Sequence, residues 1–231
     1  MPHINHPIDD PAADSPPLKQ LVQLAAVLAN PVQFFHADHV AAVSGLDDAQ
    51  LKGLCRVPGI NKAMNTAIAG HLGTPTLDLH PTAATRDACD LVIAPLDIIE
   101  GFLRQVTAVK LQHAVRNCVL KTDRERVAAI LGDAAYNTAL REAPFFYAEM
   151  ADPSLQNYFA GDPDADHPTL GMGASLVHRY LHDVDTGLAQ IFAWRLPQSF
   201  ISGHPPLEAA QQRAFQRLLA AKGPQAAMGR A

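Results

Sequence analysis

The chain has 231 residues, of which 48% are hydrophobic, and it carries a formal net charge of -5. This length and composition predict a globular chain with a sizeable core and exclude a disordered one, while the acidic balance argues against nucleic acid as a partner. The three cysteines are widely separated and include no CxxC pair, which argues against a disulfide framework and suits a reducing compartment.

The two ends of the chain differ in composition from the rest. Residues 1–16 are rich in Pro, Ala and Asp and contain no Lys or Arg, so we expect a mobile N-terminal arm. Residues 223–231 are expected to form a loose tail, which leaves residues 17–222 as one helical domain. The polar first residues do not resemble a signal peptide, and no apolar run approaches the roughly 18 residues of a membrane span.

Apolar residues at helical spacing, with Pro, Gly, Asn and Asp at the breaks, predict a series of helices. The clearest is a long amphipathic helix that begins at Leu96, followed by a capping box of Thr122 and Glu125 that starts a shorter helix ending at Gly132. Further predicted N-caps are Asp47 or Asp48, Asn61 and Asp133. The predicted helices lie within residues 15–30, 31–46, 47–54, 61–72, 81–94, 96–132, 133–140, 170–184, 188–196 and 207–219.

Strand signals are weak throughout the sequence. Residues 77–80 are at most a short extended segment, and no alternating apolar pattern of useful length and no fixed-period repeat is present. Residues 160–168 form the clearest loop. The predicted fold class is therefore all-α, a compact multi-helix globular domain with no substantial sheet.

Two histidines, His178 and His182, are four residues apart on a predicted helix, a spacing that zinc can use. With a distant carboxylate such as Asp166, they would form the His-based site of a metal-dependent hydrolase, which is the main catalytic alternative. Asp183 and Asp185 are nearer carboxylates, but aspartates are common beside helix ends. Because the segment lacks the glutamate of HExxH, surface or half-buried histidines are the favoured interpretation.

Two further patterns carry little chemistry. Residues 162–166 begin like a calcium loop, but His167 and Gly173 stand where an EF-hand needs Gly and Glu. Residues 122–141 contain arginines around the Gly132 turn, and a basic helix after a turn is what a helix-turn-helix regulator would need. A helical regulatory protein is therefore a second alternative, although the Ala and Val residues on the remaining helix faces favour core packing. We therefore predict no catalytic residue, no metal ion and no cofactor.

The aromatic residues are candidate partner anchors. They cluster at residues 34–35 and 145–147, and the single Trp194 stands beside Arg195. Trp, Tyr and Arg are enriched at interface hot spots, whereas burial in the core is the default for aromatic side chains. Both interpretations stay open for each cluster at the level of the sequence.

Three segments carry a resemblance to a known family. In residues 31–40, PVQFFHADHV, an aromatic pair leads into His36; in residues 102–131, a Leu-rich helix leads to the step HAVRNCVL and a helix ending near AAILG. In residues 173–197, a glycine opens a helix and a later helix ends in WRLP, without the additional Leu before Pro. Their order and spacing resemble the SctK (YscK-like) family of cytosolic type III secretion proteins, with the Hrp-type systems of plant-associated bacteria as the expected branch.

The resemblance implies a scaffold rather than an enzyme. Members of this family act as adaptors of the cytosolic sorting platform beneath the injectisome, and they have no catalytic residues to carry over. The expected partners are the cytosolic domain of the inner-ring protein SctD and the SctQ pods, which connect through SctL to the ATPase SctN. The expected location is cytoplasmic, at the cytosolic face of the inner membrane through these protein partners.

An adaptor must present two separated surfaces on a rigid frame. We predict that Trp194 and Arg195 serve one contact and that Phe34, Phe35 and His36 serve the other. The C-terminal helix is a further candidate, because its cations could meet an acidic partner, although a solvated helix face would explain the same charges. Those charges belong to Arg213, Arg217 and Lys222, against Glu208.

Overall fold

The computed structural model describes residues 18–79, 82–160, 166–201, 203, 206–224 and 226. Within these ranges the chain forms fourteen α-helices, several 3₁₀ turns and one π-helical turn, with no strand, which confirms the predicted all-α class. The helices are α1 (Leu18–Ala29), α2 (Pro31–Phe34), α3 (Ala37–Ser44), α4 (Asp48–Leu54), α5 (Pro58–Leu72), α6 (Ala83–Ile93), α7 (Leu96–Lys110), α8 (Gln112–Asn117), α9 (Lys121–Leu131), α10 (Asp133–Asn137), α11 (Ala143–Phe146), α12 (Asp166–Val184), α13 (Thr186–Trp194) and α14 (Ala209–Lys222).

Helix α7 lies at the centre of the fold and packs along α12. Its predicted apolar face is confirmed, because Ile99, Phe102, Leu103, Val106 and Val109 are all buried. Leu96, at the start of that face, is the exception and is 42% exposed. The interior therefore follows the 3.6-residue period of the sequence along the helix and departs from it only at the first residue.

A glycine allows α12 to approach α7 closely. A Cβ atom added at Gly173 would overlap the carbonyl oxygen of Leu103 and lie 2.8 Å from Oγ1 of Thr107. That hydroxyl donates a buried hydrogen bond of 2.7 Å to the carbonyl oxygen of Thr169 on α12. The two helices are therefore held together by backbone contact as well as by apolar packing.

A second, smaller core lies around the C-terminal end of α7. It is formed by α8, α9 and α10 together with the 3₁₀ turn at Tyr158–Ala160. Its fully or nearly buried members include Leu111, Val115, Val127, Leu131 and Phe159. The short helices after α7 thus form a small layer that covers the end of the central helix.

Several predicted helix starts are wrong by a few residues. The capping box at Thr122 does not form, because α9 already begins at Lys121 and Leu120 occupies the N-cap without a side-chain bond. Asn61 lies inside α5, which Pro58 starts, and Asp133 is the first residue of α10 rather than its cap. Pro58 in the first turn sets the start of α5, and the Gly132 break sets that of α10, instead of the polar residues.

Other capping residues behave as their chemistry predicts. Asp47 and Gln50 form a capping box at α4, which confirms one of the two predicted caps. Thr82 caps α6, Asp185 caps α13 through a 2.8 Å bond from the amide of Leu188, and Glu208 forms a capping box at α14. These side chains satisfy amide groups that the first turn of a helix leaves without partners.

The predicted domain limits fall largely where the structure gives no description. The predicted arm of residues 1–16 lies outside the described residues, as do 161–165 of the predicted loop and most of the tail after α14. The division into arm, domain and tail therefore stays a prediction. Among the described helices, none has the length and apolarity that crossing a membrane requires.

Candidate functional site

The structure brings the two predicted anchor clusters into one contact. The rings of Phe35 and Trp194 pack with centroids 5.2 Å apart, and the amide of His36 donates a 2.8 Å hydrogen bond to the carbonyl oxygen of Trp194. Phe35 and Trp194 are each only 7% exposed, and Arg195 is 4% exposed. The prediction that these clusters lie on two separated surfaces is wrong, because burying both rings requires the two segments to pack together.

The local conformation of residues 31–37 explains which of these side chains stay accessible. Pro31 starts the four-residue helix α2, and Phe35 ends it in an extended conformation. His36 then caps α3, with its Nδ1 accepting from the amide of Asp38 at 3.2 Å. Phe35 consequently points inward while Phe34 and His36 remain half-buried, and partner binding by any of the five predicted residues stays a prediction.

The half-buried residues open onto a groove of about 760 Å³, which we name the α2–α5 groove. It lies between α2, α3, α4 and α5, with the start of α7 and Arg195 completing it. Its apolar lining consists of Val32, Phe34, Phe35, Ala37, Val40, Leu51, Cys55, Pro95 and Leu96. Its polar lining consists of Asn30, Gln33, His36, Lys52, Arg56, Asn61, Asn65 and Arg195. The volume falls in the range typical of ligand-binding clefts.

One wall of the α2–α5 groove is fixed by the hydrogen bonds of the buried Asn65. Asn65 on α5 accepts a 3.0 Å hydrogen bond from the amide of Val32 at the start of α2. Its Nδ2 donates to the carbonyl oxygen and to Oδ1 of Asn61, at 3.1 Å and 2.7 Å. The position of α2 against α5 is therefore set by hydrogen bonds that leave the apolar side chains facing the groove.

Arg195 is the most unusual group of the α2–α5 groove. Its Nη1 donates to the carbonyl oxygen of Val92, but its Nε is buried and has no hydrogen-bond partner within the described part of the chain. Burial lowers the pKa of the guanidinium to about 10, because desolvation disfavours the charged form. A charged group that is this buried and incompletely bonded is costly for a protein and is a candidate for function.

The groove also has a one-sided charge. Arg56 and Arg195 are basic lining residues, whereas no Asp or Glu is found among its described lining residues. The nearby carboxylate of Asp47 is used to cap α4 through the amide of Gln50 at 2.8 Å. An apolar cleft with cations and no described acid favours ligands that combine carboxylates with an apolar side chain.

The described residues around His178 and His182 do not form the metal site that the catalytic alternative requires. Burial, with smaller effects from His182 and Arg179, lowers the pKa of the half-buried His178 imidazole. Of the carboxylates proposed nearby, Asp183 pairs with Arg179 at 3.0 Å, and Asp185 accepts from two backbone amides. Within the described ranges no group of three or more His, Cys, Asp or Glu residues is arranged to hold a metal ion, and the side chain of Asp166 lies outside the described atoms.

The cysteines and the arginines of α9 have structural surroundings. Burial raises the pKa of the Cys89 thiol to about 12, and burial likewise raises that of Cys118, which opposes thiolate formation. Cys118 is only partly buried and directly follows α8. Arg124 and Arg126 donate to the carbonyl oxygens of Cys118 and Phe159, respectively, and thus hold loops of this chain.

The aromatic pair at α11 is exposed, which sequence reasoning did not favour. Phe145 is 79% exposed and Phe146 is 60% exposed, whereas the neighbouring Tyr147 is buried. We name Phe145 and Phe146 the aromatic knob. Because α11 has only four residues, burying Tyr147 and Ala143 turns the two phenylalanines between them outward. The run of three aromatics gave no signal for this split.

The cations of the C-terminal helix are largely used within the chain. Arg217 pairs with Glu149 at 3.4 Å and donates to the carbonyl oxygen of Phe146 at 2.8 Å. Lys222 pairs with Glu142 at 2.9 Å. These contacts fasten α14 to the segment that carries the aromatic knob. They weaken the interpretation of α14 as a basic surface that waits for an acidic partner.

Comparisons with known proteins give no relative. No protein-family model, no curated protein and no solved structure matches the chain. The function must therefore be argued from the residues themselves, from the α2–α5 groove and the aromatic knob, and from the sequence resemblance.

Proposed function

We propose that this chain is a non-catalytic adaptor of a bacterial type III secretion sorting platform, bridging the inner-ring protein SctD to the SctQ pods. Through SctQ it would act indirectly with SctL and the ATPase SctN, at the cytosolic face of the inner membrane. The sequence resemblance in residues 31–40, 102–131 and 173–197 names the system. The observation that carries the adaptor role is the presence of two unlike accessible surfaces at different ends of α7.

The first surface is the α2–α5 groove, which Leu96 reaches from the first residue of α7. The second is the aromatic knob. Its neighbour Tyr147 accepts a hydrogen bond, at its carbonyl oxygen, from Nε2 of Gln112, and Gln112 lies just beyond the last residue of α7. A helix of 15 residues spans roughly 22 Å at 1.5 Å per residue. The two surfaces therefore lie near opposite ends of α7.

The packed helices between the two surfaces are suited to hold two partners at fixed positions rather than to carry out a reaction. Helix α7 is packed against α12 through Gly173 and the hydrogen bond from Thr107 to Thr169. Close-packed helices of this kind deform little, so two bound partners would keep a fixed separation. Exposed aromatic side chains such as Phe145 and Phe146 are typical anchors of protein interfaces.

The test is copurification of the full chain with the SctD cytosolic domain and with SctQ. We expect the Phe145→Ser/Phe146→Ser variant to lose one partner and keep the other, because it changes only the aromatic knob. We expect Leu96→Asp, which places a carboxylate in the α2–α5 groove, to have the complementary effect. Val22→Ser serves as a matched control, because Val22 is 60% exposed on α1 and belongs to neither surface.

Each variant must first show the circular dichroism spectrum and unfolding midpoint of the wild type. The proposal fails when the folded wild type binds neither partner, or when both surface variants still bind both partners as the control does. Loss of both partners from one surface variant alone would also contradict a bridge with two separate surfaces.

A further inference from the structure

The α2–α5 groove has the features of a peptide site for which no ligand has been assigned. Its apolar residues offer a place for a bulky side chain, with Phe34 half-buried and Leu96 42% exposed at the groove. The amide side chain of Gln33 on α2 is exposed at the same place and can both donate to and accept from a peptide backbone. These groups match an extended segment better than a compact small molecule.

The charges define the ligand further. Arg195 is 4% exposed, lines the groove and keeps a buried Nε without a hydrogen-bond partner among the described residues. Arg56 adds an exposed positive charge on the α4 side. A guanidinium is matched by carboxylate oxygens, so the parts of Arg195 and Arg56 that line the groove favour an acidic ligand.

We infer that the α2–α5 groove binds an acidic peptide segment of a partner protein, with one carboxylate at Arg195, another near Arg56 and one bulky apolar side chain against Phe34 and Leu96. This inference rests on the proposed function, since it names what one of the two adaptor surfaces recognises. It does not depend on which secretion component supplies the segment, because the recognition is by charge and apolar contact.

The test is selection of a phage-displayed library of random short peptides on the full chain, followed by affinity measurement with synthetic versions of the enriched peptides. We expect enrichment of net-negative peptides that carry a Leu, Ile, Phe or Trp. Binding should weaken with rising salt, because surface charges contribute to it. Enrichment of neutral or basic peptides, or no enrichment, overturns the inference.

Substitutions locate the peptide. For Arg195→Met we expect the Kd to rise more than about tenfold, because the buried charge contact is lost, and for Arg56→Ala about threefold, as for a charge at the rim. Arg116→Ala is the matched control, since Arg116 is exposed on α8 outside the groove and should leave the Kd within about twofold. Unchanged binding by the folded Arg195 and Arg56 variants overturns the inference.

A double variant keeps the test decisive if Arg195→Met does not fold. Arg56→Ala combined with Leu96→Ser alters only exposed groove residues, and we expect it to weaken binding more than either single change. The chain's own acidic segment is the alternative occupant. That segment is residues 1–16. The triple substitution Asp9→Asn, Asp10→Asn and Asp14→Asn should leave the peptide affinity unchanged, and a rise in affinity of more than about threefold would assign the groove to residues 1–16 and overturn the inference.

The result is separable from that of the proposed function. Acidic peptides that bind the groove while SctD and SctQ do not would sink the secretion assignment and leave the peptide site standing. The opposite result is that both secretion partners bind, that substitutions of Arg195 and Arg56 do not affect this binding, and that no acidic peptides are enriched. It would support the secretion assignment and overturn the peptide site.

Discussion

The indole of Trp194 packs against the ring of Phe35 at 5.2 Å between centroids, and this contact joins the end of α13 to the turn between α2 and α3. Two backbone-directed bonds flank it, from the amide of His36 to Trp194 and between Nε2 of His39 and the carbonyl oxygen of Leu196 at 3.0 Å. The contact positions Phe35, which lines the α2–α5 groove. Core packing and the candidate binding surface therefore share the same few residues.

Removing this aromatic contact should destabilise the fold. We expect Trp194→Ala to lower the free energy of unfolding by about 3–5 kcal/mol, because a large cavity is left beside Phe35. A double-mutant cycle with Phe35→Ala should give a coupling of about 1 kcal/mol. Urea denaturation measures both values. Phe145→Ala is the control and should change stability by less than about 0.5 kcal/mol; an equally small effect of Trp194→Ala would contradict the packing.

Two helical glycines should respond to alanine with opposite signs. Gly173→Ala should lower the unfolding midpoint and cost roughly 1–3 kcal/mol, because its Cβ would overlap the Leu103 carbonyl and α12 would have to move away from α7. Gly101→Ala on α7 has open space around the added Cβ and should raise stability by about 0.5–1 kcal/mol through helix propensity. Thermal unfolding of both variants is the measurement, and equal effects would refute the close helix contact.

Asp185 should act as a structural clamp. Its carboxylate accepts from the amide of Leu188 at 2.8 Å and from the amide of Asp78 at 2.7 Å, so it caps α13 and fastens the segment before α6. We expect Asp185→Ala to lower stability by about 2–4 kcal/mol, because a cap and a charge-assisted bond are lost together. Hydrogen exchange should show faster exchange at the Asp78 amide. Asp183→Ala, which removes a more exposed carboxylate, should leave that amide protected.

Alkaline pH should destabilise the fold partly through Cys89. Burial raises the thiol pKa in the folded state from its ordinary value of 9.0 to about 12. The folded state therefore holds its proton more tightly than the unfolded state, so the contribution is intact below pH 9 and is lost as the pH rises from about 9 towards 12. The slope attributable to this group is at most about 1.4 kcal/mol per pH unit.

The Cys89→Ala variant isolates this contribution. Its free energy of unfolding should fall less steeply than that of the wild type between pH 9 and pH 10. This range lies below the ordinary tyrosine pKa of 10.0; above it, the buried Tyr180, whose pKa burial raises to about 12, adds its own loss of stability. Urea denaturation at each pH gives the two slopes. Parallel curves for the wild type and the variant would show that Cys89 does not titrate differently in the two states.

Sequence periodicity predicted the parts of the fold that depend on neighbours along one helix. The buried face of α7 followed from apolar residues three and four positions apart, and the Asp47 cap followed from its place before a helix. Helix starts at Asn61, Thr122 and Asp133 were predicted wrongly. Pro58 starts α5 before Asn61 is reached, Leu120 occupies the N-cap of α9, and Gly132 occupies that of α10.

The candidate site was only partly accessible from the sequence. Phe34, Phe35, His36 and Arg195 were singled out as possible anchors, and all four line the α2–α5 groove. Their placement together was missed, as were Lys52, Arg56 and Leu96, since the groove joins segments whose sequences carry no shared pattern. The buried and incompletely bonded state of Arg195 has no signature in sequence, because it depends on which distant backbone oxygen it reaches.

The sequence by itself determined that this protein is helical, since helix formation depends on contacts within a few residues and leaves a periodic pattern. Tertiary structure alone decided that Phe35 meets Trp194, that Tyr147 is buried while Phe145 and Phe146 face outward, and that cations gather around an apolar groove. Those outcomes depend on how distant helices pack, and many packings share the same local pattern of apolar and polar residues.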